Sequence, residues 1–586
     1  MAETATDDGF EPVAMAADVR NKGPLVVQAG GRSIALFHHE GEFYATDNRC
    51  PHMGFPLTEG TVEDGILTCH WHHARFELSC GDTFDPWADD VPTFPLDIRD
   101  GEIFVNPSPV SDESPAEHWQ ERLEDGLQES LSLVIAKAVI GLDAADVPDD
   151  VPVRIGVEFG TLYREDGWGR GLTTLGVMTN LLEHADPEDR RRALYTGLRD
   201  VAADASGEPP FFVQQPFAAR DLSPDRLSDW FRENIEVRDS DGAERVLRTA
   251  IQADLPESAI VAMVLRATTD HRYLDTGHRL DFTNKAFEML DRLGWDHADL
   301  VLPSLVPGLA SAARAEETSS WRQPIDIAAL LEETFDDLPA LARKAAGDWT
   351  EPEGFVDELL AADPHRIVET VASAIDAGAS ATQLANAVTY AATRRVAQFG
   401  TSNEFSDWNT VHHTFTYANA VHGLARRTDA WEAYRGVFDA AMNVYLDRFL
   451  NMPPTPIPEP SDSKRAPEEV LDALMETFEI EASEEVDRTG RLVAEYLDVG
   501  GDIDRLKRSL THALVREDAG FHPNQHLEAS FARLPYLDDP ERRRVTLIAA
   551  GRYLSAHTPT RREAEQTFRI ADRLHRGEAL HEGAGN

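Results

Sequence analysis

The apolar pattern of the chain changes once. Up to about residue 106, apolar residues come in short or alternating runs: Leu25-Val-Val-Gln, Ser33-Ile-Ala-Leu-Phe, Glu42-Phe-Tyr-Ala and Glu102-Ile-Phe-Val. Turn signals separate them, namely Ala29-Gly-Gly, Glu40-Gly, Asp64-Gly and Asp100-Gly. This texture predicts hairpins, so residues 8–106 are expected to form a small all-β domain. Residues 107–116, rich in Pro and Ser, read as a linker. From residue 117 onward apolar residues recur every three or four positions, beginning with Trp119, Leu123, Leu127, Leu131, Val134 and Val139, which predicts amphipathic helices. Asp186-Pro and Ser223-Pro place Pro at a first helical position, and Pro467 does so without a capping residue before it. The Pro-rich stretch 452–463 cannot be helical and splits the helical region into a first block, 117–451, and a second, 464–580. The expected fold class is multidomain: a small all-β domain, then a large all-α domain.

A weak internal repeat runs through the helical region. One copy opens at Ala250-Ile-Gln-Ala-Asp and reaches His278, a second opens at Ala374-Ile-Asp-Ala-Gly and reaches His412, and a third opens at Tyr496-Leu-Asp-Val-Gly and reaches His522. Each histidine is followed by the same eight-residue gap, then an apolar residue, then Leu after two more. If equivalent repeats point a histidine inward, the side chains meet at one metal ion or one substrate; imidazole suits iron, copper or zinc, and neutral imidazole can act as a base. The candidates are His271, His278, His412, His413, His422, His512 and His522, with His526 close by. For any single one of them a helix-end or satisfied core position is the plainer expectation. The stretch 156–171, rich in glycine and aromatic residues, suits a pocket wall or a tight helix crossing.

Composition narrows the function classes. The chain has 586 residues, of which 42% are hydrophobic and 27% charged, the balance of a folded protein. Lys+Arg number 55 against 104 Asp+Glu, a net charge of −49, which argues against nucleic acid and against anionic membrane surfaces as partners. Only six of the basic residues are lysines: Lys22, Lys137, Lys285, Lys344, Lys464 and Lys507. A uniformly acidic, lysine-poor composition resembles that of cytoplasmic proteins from salt-loving archaea. No apolar run is long enough to span a membrane, and the acidic N-terminus has no signal-peptide pattern, so a cytoplasmic location is expected.

All three cysteines, Cys50, Cys69 and Cys80, lie near the N-terminus. Two of them belong to a constellation: Cys50-Pro51-His52, then sixteen residues, then Cys69-His70-Trp71-His72. Two thiolates and two imidazoles suit a Cys₂His₂ zinc site or a [2Fe–2S] cluster in which two His replace two Cys on one iron. Structural zinc fingers pair Cys with Cys and His with His, whereas each loop here supplies one of each. That mixed arrangement suits two irons, one taking both Cys and the other both His. Cys50-Pro-His-Met-Gly through Cys69-His-Trp-His-His-Ala-Arg-Phe resembles the Rieske ferredoxin and Rieske oxygenase family. The resemblance implies a Rieske [2Fe–2S] cluster with Cys50 and Cys69 on the inner iron and His52 and His72 on the outer one. It also implies that the stretch from Phe84-Asp-Pro-Trp to Pro92-Thr-Phe-Pro covers the cluster. The respiratory Rieske disulfide has no counterpart: Cys80 lacks a partner in the first loop, which points to the ferredoxin and oxygenase branch.

The Asp-x₂-His-x₄-His of Rieske oxygenase catalytic domains is absent; Asp407 with His412 and His413 comes nearest, at the wrong spacing. The short helical runs with paired histidines loosely resemble helical oxidases of the questin oxidase type. The expected function is a Rieske-type oxidoreductase, possible catalysis being oxygenase-like, that passes single electrons from the cluster to a site in the helical domain. A second metal in that domain is part of this expectation. The alternatives are a Rieske ferredoxin or redox sensor on a helical protein-binding scaffold, and a zinc-stapled structural protein. No nicotinamide or flavin fingerprint is present, so an external electron donor, a ferredoxin or reductase, is expected, together with an unknown small-molecule substrate or protein partner.

Overall fold

The computed structural model describes residues 9–110, 113–218, 222–480, 483–578 and 580. Among the described residues, the N-terminal domain has nine short strands: β1 (Glu11–Met15), β2 (Leu25–Ala29), β3 (Arg32–His39), β4 (Glu42–Asp47), β5 (Thr61–Glu63), β6 (Ile66–Thr68), β7 (Arg75–Glu77), β8 (Leu96–Arg99) and β9 (Glu102–Val105). They pair as three antiparallel three-stranded sheets, β1-β9-β8, β2-β3-β4 and β5-β6-β7. The four glycine turns read from the sequence are tight connections of these sheets: Gly30–Gly31 between β2 and β3, Gly41 between β3 and β4, Gly65 between β5 and β6, and Gly101 between β8 and β9. Alternate residues of β3 serve two cores. Ile34 and Leu36 pack with Val27, Phe43 and Ile103, whereas Ala35 and Phe37 pack around Cys50, Cys69 and Phe76. The period of two thus splits one strand between a structural core and the floor of the cysteine loops.

The rest is helical. The first helix after the β domain, Pro115–Gln128, starts on a capping box in which Ser114 and Glu117 bond each other's backbone, so helix begins inside the expected linker. The chain divides into two compact units. One comprises the chain up to Ile155 together with the chain from Glu563, and the other is Gly156–Arg562. Within the first, the C-terminal helix Glu563–His575 packs on the helix Ser132–Ala144, and the Leu574 carbonyl accepts from Arg49 at 2.7 Å. A helix that is last in sequence therefore closes the domain that is first, which no local pattern reports.

In the second unit the helices Asp150–Leu162 and Arg170–Leu181 leave no room at the expected glycines. A Cβ on Gly156 would lie 2.6 Å from Leu198, and one on Gly160 would lie 2.7 Å from Leu172. These glycines serve a tight helix crossing. The three sequence repeats share one backbone design. In each, a helix ends, a four-residue turn follows (253–256, 377–380, 499–502), and a second helix starts. Every turn has a left-handed residue at its second position: Asp254, Gly378 or Gly500. The next amide closes a six-residue loop onto Ala250, Ala374 or Tyr496. Ala145-Asp146-Val147-Pro148 repeats this geometry, with Asp146 left-handed and Val147 N–H bonded to the Leu142 carbonyl. It is a fourth copy of the turn. Among the described residues, no helix is long and apolar enough to cross a membrane.

Candidate functional site

The N-terminal constellation is built by two loops of the same design. Cys50 N–H donates to the Phe55 carbonyl and Gly54 N–H returns to the Cys50 carbonyl, at 2.8 and 2.7 Å. Cys69 N–H donates to the Ala74 carbonyl and His73 N–H returns to the Cys69 carbonyl, at 2.9 and 3.0 Å. The fourth residue after each cysteine, Gly54 or His73, turns the chain with a positive φ (+82° and +65°). Backbone amides of His52 and Met53 point at the Cys50 sulfur, and those of Trp71 and His72 at the Cys69 sulfur. Both cysteines are buried, with their side chains in hydrogen-bond reach of each other, while Cys80 is exposed. The His52 and His72 rings meet edge to face at 4.8 Å, and Trp87 packs on His52 at 4.6 Å. His72 is exposed, as are His70 and His73.

The four donors thus form two pairs, sulfur with sulfur and ring with ring, and among the described residues no three of them bring ligand atoms within 4.8 Å of one another. That separation suits two metal ions better than one zinc. His52 Nδ1 is buried and finds no hydrogen-bond partner, an orphan that a metal bond would satisfy. Burial, with smaller contributions from His72 and Lys137, lowers the His52 pKa to about 4, so its ring is neutral and able to ligate. The donor set therefore fits a [2Fe–2S] group.

Sequence reasoning missed what lies beneath the first loop. Lys137 Nζ donates to the Pro51 carbonyl at 2.6 Å and reaches Asp89 at 3.1 Å. Arg122 bonds the other Asp89 oxygen at 2.9 Å and the Pro86 and Ala88 carbonyls of the covering loop. Burial raises the Asp89 pKa, but Lys137 and Arg122 outweigh it and hold the carboxyl low. The one available signal was that Lys137, one of six lysines, stands inside an apolar helical run.

The second unit gathers part of the histidine set. His278 at the start of its helix, His413 within Phe405–Ala425 and His522 at the start of Phe521–Arg533 hold candidate ligand nitrogens all within 4.8 Å of one another. His413 Nε2 and His522 Nε2 are 3.0 Å apart. One helix turn on, His526 faces His412, with Nδ1 to Nδ1 at 3.3 Å. Tyr553 stacks between His526 and His557 at ring distances of 4.1 and 4.3 Å. Burial pushes these imidazoles far down: His413 to about 2, His522 and His526 to about 3, and His557 to about 4.

The remaining candidates lie elsewhere. His422 Nδ1 accepts from Arg533 at 2.6 Å, and His512 pairs with Asp189 at 2.9 Å. Asp407 accepts from the Glu404 amide as a helix cap. His271 lies between two carboxylates, Glu316 at 2.7 Å and Glu236 at 2.5 Å. Although burial lowers its pKa, these partners outweigh it and raise it above the usual value. A raised folded-state pKa stabilises fully below the unfolded value, about 6.5, and the gain is lost as pH rises through the folded one. His271→Gln is therefore expected to lower the melting temperature more at about pH 6 than at alkaline pH, above the folded-state value. Equal losses by differential scanning calorimetry at both pH values would contradict the charged ion pair.

Comparison with known proteins bears on the N-terminal domain. A family profile described as Rieske [2Fe-2S] domain matches residues 9–95. The ferredoxin component of an alkene monooxygenase system from Xanthobacter autotrophicus (strain ATCC BAA-1158 / Py2) is 32% identical over 118 residues, which is 20% of this chain and 97% of that protein. Human apoptosis-inducing factor 3 is 35% identical over 92 residues, but the chain spans only 15% of its length. A solved complex of reduced oxygenase and oxidized ferredoxin in carbazole 1,9a-dioxygenase is 23% identical; the match covers 18% of this chain and 100% of that one, with a TM-score of 0.17.

Proposed function

Because the chain belongs, through residues 9–95, to the Rieske [2Fe-2S] family, we propose that it is an oxidoreductase that takes single electrons from an external ferredoxin or reductase and delivers them to an acceptor in its helical region. The observation that carries this reading is the twin-loop arrangement of Cys50, Cys69, His52 and His72, with sulfurs buried and one imidazole at the surface. Bound there, the cluster supplies one-electron transfer. The chain's residues do the rest. Cys50 and Cys69 would hold one iron, and His52 and His72 would hold the other. Four backbone amides aimed at the sulfurs stabilise their negative charge. Exposed His72 gives an electron donor an entry that needs no conformational change, while Trp87 keeps water from His52.

A second reading has one observation in its favour. The match spans nearly the whole of a free-standing ferredoxin component, so the domain contains all that a mobile electron carrier needs. In that reading the helical region only docks a separate enzyme. Reductive titration of the purified full chain under anaerobic conditions separates the two. An internal acceptor is expected to bring uptake above one electron per chain, with the excess lost in His413→Ala while the Rieske EPR signal stays. Uptake of one electron in both proteins would favour the carrier.

A further inference from the structure

Four helices close a ring in the second unit. Arg170–Leu181 packs on His278–Leu293, which packs on Phe405–Ala425, which packs on Phe521–Arg533, which returns to Arg170–Leu181. These are the third helices of the four repeat copies, each placed after the same turn and second helix. Each helix brings one side chain to the centre: Arg170, His278, His522 and, one step past the repeat-equivalent His412, His413. Three supply imidazole. The fourth supplies a guanidinium, close enough to repel a proton on each of the three rings.

We propose that His278, His413 and His522 bind one divalent first-row transition-metal ion, and that its open coordination position faces Arg170 and the neighbouring cavity. Three observations meet here. First, the three candidate nitrogens already lie within 4.8 Å of one another, so side-chain adjustments alone would set all three at metal-bond distances of about 2.0–2.1 Å from one ion. Second, His278 is prepared as a ligand. Its Nδ1 is 2.7 Å from the Asp275 carbonyl, a contact that fixes the proton on Nδ1, and its Nε2 is buried without a partner. Asp275 is itself held by Arg279 and by the Ala313 amide, so the carbonyl does not drift. Third, His413 Nε2 and His522 Nε2 face each other at 3.0 Å, where two neutral rings make at most one hydrogen bond and an ion satisfies both.

The contrast with the other compact donor group supports the choice. Glu236, Asp270 and His271 also approach one another, but both His271 nitrogens are occupied by carboxylates and Asp270 is paired with Arg232 and Arg435. That group is a satisfied ion-pair network. Among the described residues, no carboxylate meets the Nε2 atoms of the three-histidine group. It also opens on space: His278 and Arg170 line a cavity of about 790 Å³ whose other walls include Tyr273, Trp321, Ile327 and Leu446. Its size suits a small-molecule site, and three nitrogen ligands with one open position are a catalytic rather than a structural arrangement. The substrate class is an apolar organic molecule carrying one anionic or oxyanionic group, the group meeting Arg170 and the ion.

The site stands on the geometry of the helical unit and not on the electron-transfer reading. The test uses the purified full chain with its cluster intact. Co(II) is added after chelation of loosely bound metal, and bound cobalt is counted after gel filtration, with high-spin Co(II) EPR for coordination. The expected result is one cobalt per chain with nitrogen hyperfine broadening. Its affinity is expected to fall at least tenfold in His413→Ala and in His522→Gln, two variants in different helices, while helical circular dichroism and the Rieske EPR signal stay unchanged. Absence of bound Co(II), Fe(II) or Zn(II) in the folded wild-type chain, or equal cobalt affinity in a folded variant, would overturn the proposal. A missing Rieske signal with cobalt still bound would sink the electron-transfer reading and leave this site standing.

Discussion

His72→Cys is expected to keep a cluster but to lower its reduction potential by at least about 100 mV, measured by EPR-monitored redox titration. Rieske centres fall roughly between −150 and +300 mV because two neutral imidazoles replace two thiolates, whereas all-cysteine plant-type clusters lie near about −400 mV. A thiolate in place of the imidazole adds one negative charge to the outer iron and penalises the electron that must go there. His72 is the better of the two histidines to exchange. It is exposed, so water can solvate the new charge, while His52 is wedged under Trp87 and its replacement would also open a void. The neighbours provide the control. His70 and His73 are equally exposed, His70 reaching only Thr61 at 3.3 Å, and His70→Cys should leave the potential where it was. An unchanged potential in His72→Cys would remove His72 from the ligand set.

Both candidate sites were partly legible in the sequence, for different reasons. The cysteine loops are local. Each closes on itself within five residues, so Cys50-x-His and Cys69-x-x-His carry nearly all the information that shapes them. The histidine ring is not local. Its members come from helices separated by more than a hundred residues, and only the repeat linked them. The repeat pointed to His412, yet its neighbour His413 faces the ring, because a step of one residue turns a helix by about 100°. The fourth copy is masked in the sequence because Arg170 stands in place of a histidine. Its turn Ala145-Asp-Val-Pro is nonetheless almost that of Ala253-Asp-Leu-Pro. Residues 107–116 read as a loop, yet Ser114-Pro115 with Glu117 is also a helix start, and the helix Pro115–Gln128 begins there. Least legible were the contacts of the helices on the β domain. Lys137, Arg122 and Leu574 reach the cysteine and covering loops across 33 to 525 residues of chain, and no periodicity encodes such a distance.

Those distant contacts carry the other large effect. Lys137→Met is expected to cost about 3 kcal/mol of unfolding free energy, read from denaturant melts followed by cluster absorbance. Methionine matches the length of the lysine stem, so packing is largely kept and the loss isolates the ammonium. Three groups then go short: the Pro51 carbonyl, the His52 carbonyl and one Asp89 oxygen. Asp89 is buried, and Arg122 alone would compensate it. Breaking one partner from a buried charged network leaves a charge uncompensated, and the remaining Arg122 bond keeps the cost at the low end of the usual range. The pH dependence has a definite sign. The depressed Asp89 pKa contributes stability that is present above the unfolded value of about 3.9 and is lost as pH falls through the folded one, so wild type and variant should converge in acid. Lys137→Arg is expected to recover little, because a planar fork cannot fit where a single ammonium meets two carbonyls and a carboxylate. The redox potential should move far less than in His72→Cys, since Asp89 already cancels much of the Lys137 charge at the cluster loops. A Lys137→Met chain as stable as wild type would show that these helices merely accompany the β domain and do not brace its metal loops.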